Sequence, residues 1–547
     1  MQAINDFLPP RDLVGRRVFT LSEDQYPQKL NIMRDFYGKV KDWNKTVLYF
    51  QDSRITCSDL RSNVNKTANA LKSLGVERND RVVIKSSNVP EFAYCVYACW
   101  TIGAIPVYQM HLGRAEEIVW KANDSGAKVY IVNTNGLLDM DEAIPKFETV
   151  KHVILIGDKK TGYLSYRELV KDQPEECAIE DTDRDQVVRL LYTSGTTGKP
   201  KAAISYMTDM AVGGDVFGKQ ILGLTEEDVV GGHPNYTFAF GAMFLALPLR
   251  CRCALSIVDS PTPEKMFETV EEHRITVLCC VPSFFNSMLM VENAGKRYNL
   301  SSLRLCQSAG EWLPGKTYLE WKRRFRVEIL DALGSSELGY WISMRQGFLE
   351  DKAGSSGVPL PGWEARIVDE SLNEVPPNTD GELIVMGPSR QDYWRRPDKQ
   401  KEAVVQSGKY KGWNRVGLVY SRDEDGFLSY RGRIDDMIVS SAYKIPGGEV
   451  ENALLAHPAV HEAAIVPSPD PIRGNVVKAF IVVREGYQPS ERLIKELQDF
   501  VKAKIEPYKY PRIIECVDAA KLPRTSTGKI QRRTLREMEM KGEKISP

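Results

Sequence analysis

The sequence predicts an α/β protein: a large N-terminal part built on parallel sheets, a short β-rich stretch, and a small α+β C-terminal part. Three observations carry this. Strand and helix signals alternate from residue 81 to about 345, the pattern of parallel sheets covered by helices. From Gly357 the texture changes to short strands separated by turn clusters. After Arg433 helices and strands mix over a span long enough for a separate domain.

The elements follow in order. Residues 81–85 (RVVIK) read as a strand, and a helix then starts with Pro90 in its first turn and runs to Trp100. Gly103 ends it, and strands follow at 104–108, 128–132 and 152–156. A second α/β block from about 185 to 345 has strands at 276–281, 303–306 and 327–330. Strands at 365–368, 381–385 and 427–430 are separated by Pro376-Pro377-Asn378 and Asp423-Glu424-Asp425-Gly426, which reads as a small β-barrel or distorted sheet. The C-terminal part has helices at 448–455 and 491–505 and strands at 462–466 and 478–483.

With 547 residues the chain exceeds one ordinary core. Acid and base balance at 73 each, so no global field favours nucleic acid or an anionic membrane. The start, MQAIND, lacks the basic and apolar regions of a signal peptide, and no apolar run approaches a bilayer span, so a cytoplasmic enzyme is expected. Ten cysteines are scattered without C-x-x-C spacing and read as reduced, packed thiols. His457 and His461 have i, i+4 spacing, but the second reads as lying beside a strand, a poor metal pair.

The most informative run is YTSGTTGKPK, Tyr192 to Lys201, which follows the apolar strand VVRLL. Gly195 and Gly198 accept positive φ, so successive backbone N–H groups can form an anion nest. Thr193, Ser194, Thr196 and Thr197 add hydroxyls, and Lys199 and Lys201 add charge. The loop is suited to a polyphosphate. It is not a Walker loop, because Pro200 follows Lys199 and forbids the helix that would start there. This run resembles the adenylate-forming superfamily of acyl- and aryl-CoA ligases, luciferases and peptide-synthetase adenylation domains.

The resemblance covers nearly the whole chain. It implies an N-terminal AMP-binding domain over 1–433, with two α/β subdomains to about 345 and the β-rich part at 357–432, and a mobile C-terminal domain over 434–547 with its hinge near Asp435. Ser308-Ala309-Gly310-Glu311 marks a turn at a strand's carboxyl end, where open α/β sheets bind ligands. In the family Ala309, Gly310 and Glu311 lie against adenine. In DALGSSE, Asp331 is assigned to the nucleotide, Ser336 takes the place of the usual α-phosphate Thr, and Glu337 is the Mg²⁺ ligand candidate. Arg433 is assigned to ribose or phosphate. Lys529, in LPRTSTGK, is the catalytic ammonium that would hold carboxylate and α-phosphate together.

The implied reaction has two steps. A carboxylate attacks the α-phosphate of ATP and releases pyrophosphate; the small domain then turns about Asp435, and the thiol of CoA displaces AMP. Ser441, Ala442 and Tyr443 would line the CoA tunnel. The segments FLPPRDL, YPQKLN, PKA and YTFAFG resemble 2-aminobenzoate- and benzoate-type CoA ligases, whereas PYKYPR is shared with medium-chain acyl-CoA synthetases. Phe238 takes the aromatic gating position and, with Phe240, Gly241, Ala242, Ser308, Gly334 and Tyr340, implies an apolar pocket for an aryl or short branched acid. A homodimer is compatible with this reading.

Three departures stand out. Leu418 occupies the position of the carboxylate that accepts hydrogen bonds from both ribose hydroxyls. Bonds of that kind are worth roughly 1.5–3 kcal/mol each, so about ten- to a hundred-fold weaker nucleotide binding is expected. Ala442 replaces a tunnel Gly, and Ser205 and Met207 replace histidines after the phosphate loop. These changes keep open a non-catalytic protein that binds nucleotide or an acyl ligand, and adenylation with another acceptor remains a further alternative.

Overall fold

The computed structural model describes residues 4–10, 13–15, 17, 26–193, 200–347, 350–434, 437–440, 443–470, 474–505, 507–524 and 530–543. Met1–Arg366, Ile384–Arg415 and Gly426–Leu428 form one compact unit; Ile367–Leu383, Val416–Asp425 and Ser429–Pro547 form another.

The first unit holds two sheets. A seven-stranded sheet runs in the order Leu164–Ser165, His152–Ile156, Val129–Asn133, Arg81–Ser86, Ile105–Met110, Val187–Thr193, Lys201–Tyr206. All its pairs are parallel except the last, an antiparallel hairpin. The strand–helix alternation forces this, since parallel neighbours need a crossover. A nine-stranded sheet runs Val358–Pro359, Gly339–Ser343, Ile329–Ser335, Leu305–Ser308, Val277–Cys280, Val229–Gly232, Ala254–Ile257, Thr46–Phe50, Ser53–Thr56. Its middle is parallel and its two ends antiparallel.

The helix Pro90–Thr101 is buried at every position except Glu91. Its sequence is apolar all round, which suits a core helix rather than a surface one. Full burial of side chains such as Phe92 and Val96 is worth about 1.5–3 kcal/mol each. Trp100 Nε1 donates to the Val188 carbonyl of the seven-stranded sheet at 2.8 Å. Tyr97 hydroxyl donates to the Leu245 carbonyl at 2.9 Å, tying this helix to the equally apolar Ala239–Cys251. A π-helix at Gly213–Ile221, unforeseen in the sequence, packs beside them and carries Phe217.

The β-rich stretch is not a closed barrel. Glu364–Val368, Gly381–Met386, Asn414–Arg422 and Leu428–Arg433 lie in chain order in one open four-stranded sheet. Four strands are too few to close around a filled interior.

In the second unit Val460–Asp470, Gly474–Val483 and Ile513–Cys516 form a sheet, with the helices Gly447–Leu455 and Glu491–Lys504 on it. Leu493, Leu497 and Val501 of the amphipathic helix share a core with Val450, Ile465 and Ile481. His457 is buried, its Nε2 3.2 Å from Glu496 and its Nδ1 accepting from Ala459 N–H, while His461 is exposed. Among the described residues no cluster of metal-ligating side chains occurs, and no helix is long and apolar enough to cross a membrane.

Candidate active site

The strands Val187–Thr193 and Lys201–Tyr206 pair up to Thr193 opposite Lys201, so residues 194–200 connect a hairpin. The chain returns as a strand directly after Pro200, in keeping with the missing helix. Ser194, Gly195, Thr196, Thr197, Gly198 and Lys199 lie outside the described residues, as do Asp435, Ser441, Ala442, Lys529 and the Tyr443 side chain. Thr193 Oγ1 donates to the Lys201 carbonyl at 3.4 Å.

Lys201 Nζ lies 3.8 Å from the centroid of the Tyr393 ring, a cation–π contact. Tyr393 reaches it because residues 392–394 run along the hairpin: Ile204 N–H donates to the Asp392 carbonyl at 3.0 Å and Trp394 N–H to the Ala202 carbonyl at 2.9 Å. The Tyr393 hydroxyl donates to Glu337 Oε1 at 2.8 Å and accepts from Gln391 Nε2 at 3.0 Å. Glu337, with Ser336 before it, sits in the turn between Ile329–Ser335 and Gly339–Ser343. One tyrosine therefore joins the lysine of one sheet to the carboxylate of the other.

Ser308 ends its strand and is in register with Asp331 on the next. Both are buried, and burial pushes the Asp331 carboxyl up to about 8. Asp331 Oδ1, Ser308 Oγ and the Tyr340 hydroxyl are buried without a well-formed hydrogen bond among the described residues, although Ser308 stands beside the Asp331 carboxyl and Gln307 beside the Tyr340 hydroxyl. Three polar atoms so weakly partnered on three adjacent strands suit a ligand or water. Ala309 is buried, Gly310 is exposed with φ +84°, and Glu311 Oε2 accepts from Ser283 N–H at the start of the helix Pro282–Leu289 at 3.3 Å.

Several aromatic side chains named from the sequence stand close together, with Phe217 beside them. Tyr340 stacks on Phe217 at 4.0 Å and 26°, and Phe240 meets Tyr340 edge-on at 6.4 Å. Phe238 is half-buried at the start of the helix Ala239–Cys251. Two glycines are steric necessities: a Cβ on Gly241 would lie 2.0 Å from the Asn235 carbonyl oxygen, and one on Gly334 2.5 Å from that of Gly339. His233 stacks on Phe284 at 4.1 Å, and burial pushes its pKa down to about 4. A small cavity of about 20 Å³, room for little more than one water-sized group, is lined by Arg189, Ser205, Phe217, Met243, Glu337 and Tyr340.

In the second unit Arg433 ends the strand Leu428–Arg433 and is exposed. Leu418 is half-buried in Asn414–Arg422, directly after Gly417 with φ +69°.

Sequence reasoning missed Tyr393, Arg189, Phe217 and His233. Only Arg189 carried a local signal, a charge in the middle of an apolar strand.

Residues 39–391 match the AMP-binding enzyme family, and residues 449–529 match the AMP-binding enzyme C-terminal domain. The chain is similar to the benzoate–CoA ligase of Thauera aromatica, 34% identical over 519 residues, covering 93% of this chain and 96% of that protein. It is 33% identical over 495 residues to a mitochondrial acyl-coenzyme A synthetase of Rattus norvegicus, covering 88% and 83%. A crystal structure of the anthranilate CoA ligase AuaEII in complex with anthranoyl-AMP superposes with a TM-score of 0.87 at 30% identity, covering 95% of this chain and 99% of that one. The matched segments include the phosphate-loop hairpin, the Ser308 turn and the Glu337 turn, and the chain belongs to the AMP-binding enzymes, as an acid–thiol ligase.

Proposed function

We propose that the protein is an ATP-dependent aryl-acid:CoA ligase acting on a benzoate- or 2-aminobenzoate-like acid. The observation that carries this reading is the Lys201–Tyr393–Glu337 arrangement beside the phosphate-loop hairpin. It sets a cation and a carboxylate side by side, as a metal-bound triphosphate requires. The aromatic wall of Phe217, Phe240 and Tyr340 supports a flat acid.

In the first step a carboxylate oxygen of the acid bonds to the α-phosphorus of ATP, and the α–β phosphoanhydride bond breaks with its electron pair to pyrophosphate. Thr193, the loop 194–199 and Lys201 cradle the phosphates, and Ser336 orients the α-phosphate. Mg²⁺ fits the donor set: Tyr393 holds Glu337 by Oε1, Oε2 makes no hydrogen bond among the described residues, and Mg²⁺ typically takes one or two carboxylates plus substrate phosphates. Bound there it would neutralise phosphate charge. A protonated Asp331 carboxyl can both donate to and accept from the adenine edge, beside Ala309, Gly310 and Glu311. Lys529 bridges carboxylate and α-phosphate as charge develops.

In the second step the C-terminal domain, hinged near Asp435, presents Ser441, Ala442 and Tyr443 to the pantetheine arm of CoA. The thiol sulfur bonds to the acyl carbon, the acyl–oxygen bond breaks, and AMP leaves with the electron pair while the thiol proton passes to solvent. The protein is placed in the cytoplasm on this reading.

The test is acid-dependent ATP–pyrophosphate exchange with benzoate, 2-aminobenzoate and aliphatic acids, followed by CoA addition. Exchange with an aryl acid, then AMP and thioester on adding CoA, is expected. Exchange with medium-chain acids alone replaces the substrate; no exchange with any acid at saturating Mg-ATP leaves the non-catalytic reading, to which Leu418 points. Lys529→Ala should abolish exchange yet leave thioester formation from a supplied acyl-adenylate, and exchange at the wild-type rate in that variant removes the assigned role.

A further inference from the structure

Arg189 lies in the middle of the strand Val187–Thr193, between Val188 and Leu190, and is 3% exposed. Across the hairpin it faces Ser205, to whose Oγ it donates twice, from Nε at 3.1 Å and Nη2 at 2.8 Å. Its third nitrogen, Nη1, is buried and has no hydrogen-bond partner among the described residues. Among the described residues no carboxylate pairs with this guanidinium. The nearby Asp209 accepts from Tyr206 N–H at 2.7 Å and lies 3.4 Å from Arg17. Burial pulls the Arg189 pKa below its ordinary value, against the opposing pull of Tyr108 and Asp209. A buried cation without a contact partner is costly, and a guanidinium has donors to spare.

The position of this cation makes it informative. Arg189 and Ser205 line the cavity whose other walls are Phe217, Met243, Gly213 and Tyr340. Phe217 and Tyr340 also form the aromatic wall that would hold the acid. The cavity therefore lies between that aromatic wall and an orphaned donor, and it has room for one oxygen-sized group.

We propose that Arg189, held by Ser205, is a specificity-determining residue that selects an acid bearing a small neutral hydrogen-bond acceptor, a hydroxyl, alkoxy or keto oxygen, on its body. This rests on the ligase reading above and narrows its substrate class. Two features of the same wall set the chemistry. The cavity holds about 20 Å³, enough for a single oxygen but not for a second carboxylate on the acid. An amino substituent offers hydrogen bonds to a group that is itself all donor, so it gains nothing from Arg189. Benzoate leaves Nη1 unsatisfied, whereas an oxygen substituent completes it.

The test is ATP–pyrophosphate exchange with matched acids: benzoate against the hydroxybenzoates, 2-aminobenzoate and isophthalate, and pentanoate against 4-oxopentanoate. The best oxygenated acid should exceed its parent in kcat/KM by about 10- to 100-fold, the range of one hydrogen bond to a charged group. Neither the amino acid analogue nor the dicarboxylate should exceed the parent. In Arg189→Met the ratio of oxygenated to parent acid should fall to about one, and in Arg189→Lys it should be intermediate. The double variant Arg189→Met, Ser205→Ala gives the same reading where the single variant does not fold. Parents used as well as oxygenated acids, or a preference that survives Arg189→Met, overturns the proposal while leaving the ligase intact. If no acid supports exchange, the ligase reading fails separately. Calorimetric binding of 3-hydroxybenzoate and benzoate to the wild-type chain then decides: tighter hydroxybenzoate binding lost in Arg189→Met supports the subsite, and equal affinity overturns it.

Discussion

The hydroxyl of Tyr393 donates to Glu337 Oε1 at 2.8 Å while its ring covers the Lys201 ammonium, so one side chain fixes two groups of opposite charge. Separating the two contacts is straightforward. Tyr393→Phe keeps the ring over Lys201 and removes the hydrogen bond to the carboxylate. A hydrogen bond to a charged group is worth roughly 1.5–3 kcal/mol. We expect kcat/KM for ATP in the exchange reaction to fall by at least about tenfold, with the KM for the acid little changed. Tyr393→Leu, which also loses the cation–π contact, should fall further. A phenylalanine variant that matches wild type across a range of Mg-ATP removes Tyr393 from the site.

That relationship also marks where sequence reasoning stops. Residues 192–201 announce their chemistry because glycines, hydroxyls and lysines are contiguous, and the alternation of elements fixes the parallel sheets. Tyr393 lies far along the chain and reaches Lys201 only through backbone bonds between residues 392–394 and the hairpin. The edge hairpin Thr46–Phe50 with Ser53–Thr56 joins the nine-stranded sheet through Leu48 opposite Leu255, a pairing no local pattern encodes. The π-helix hides for a different reason: its apolar residues fit an ordinary helix equally well, so periodicity does not separate the two.

Asp331 gives a pH signature. Its pKa is about 8 in the folded protein against an ordinary value of 3.8. Between these values the unfolded chain has released the proton and the folded chain retains it, so this group lowers stability as pH rises from about 4 to about 8 and adds no further slope above. Asp331→Asn should remove this slope, making the variant the more stable protein at pH 8 by on the order of a few kcal/mol. Urea midpoints at acid and alkaline ends of that window read it, and parallel curves for variant and wild type contradict the assignment.

His233 acts on the acid side. Its folded pKa, about 4, lies below the ordinary 6.5, so the unfolded chain takes up the proton first as pH falls. Stability from this group is complete above 6.5 and is lost toward 4. His233→Gln should flatten the loss of melting temperature between those values. An unaltered acid limb would mean that the ring beside Phe284 is protonated in the folded state.

Gly241 tests the pocket's packing without touching its polar groups. An alanine there places Cβ 2.0 Å from the Asn235 carbonyl oxygen, and the helix Ala239–Cys251 must move off the preceding loop. Gly241→Ala should cost about 3 kcal/mol or more and lower acid affinity together with stability. Gly38 is the contrasting position, inside the helix Ile32–Lys39 with nothing near its missing Cβ, so Gly38→Ala should be neutral or slightly stabilising. Equal melting temperatures for the two variants would show that the close approach at Gly241 is relieved without cost.

Leu418 is the position at which restoring chemistry is more telling than removing it. It is half-buried in the strand Asn414–Arg422, after a glycine at φ +69°, at the position that the family resemblance assigns to a carboxylate accepting from the ribose hydroxyls. A leucine offers no acceptor, so on this assignment ribose binding relies on other contacts. Leu418→Asp adds two oxygens that can accept from both hydroxyls, against the cost of placing a charge in a half-buried strand. The free variant should therefore melt below wild type, and saturating AMP should recover more of the loss than it does in wild type. The KM for ATP in exchange should fall by about tenfold, the yield of one net charge-assisted hydrogen bond. Leu418→Asn, with one neutral acceptor, should give a smaller gain. A melt lowered without a tighter KM means that residue 418 does not meet the ribose, and the nucleotide must then be held by other groups.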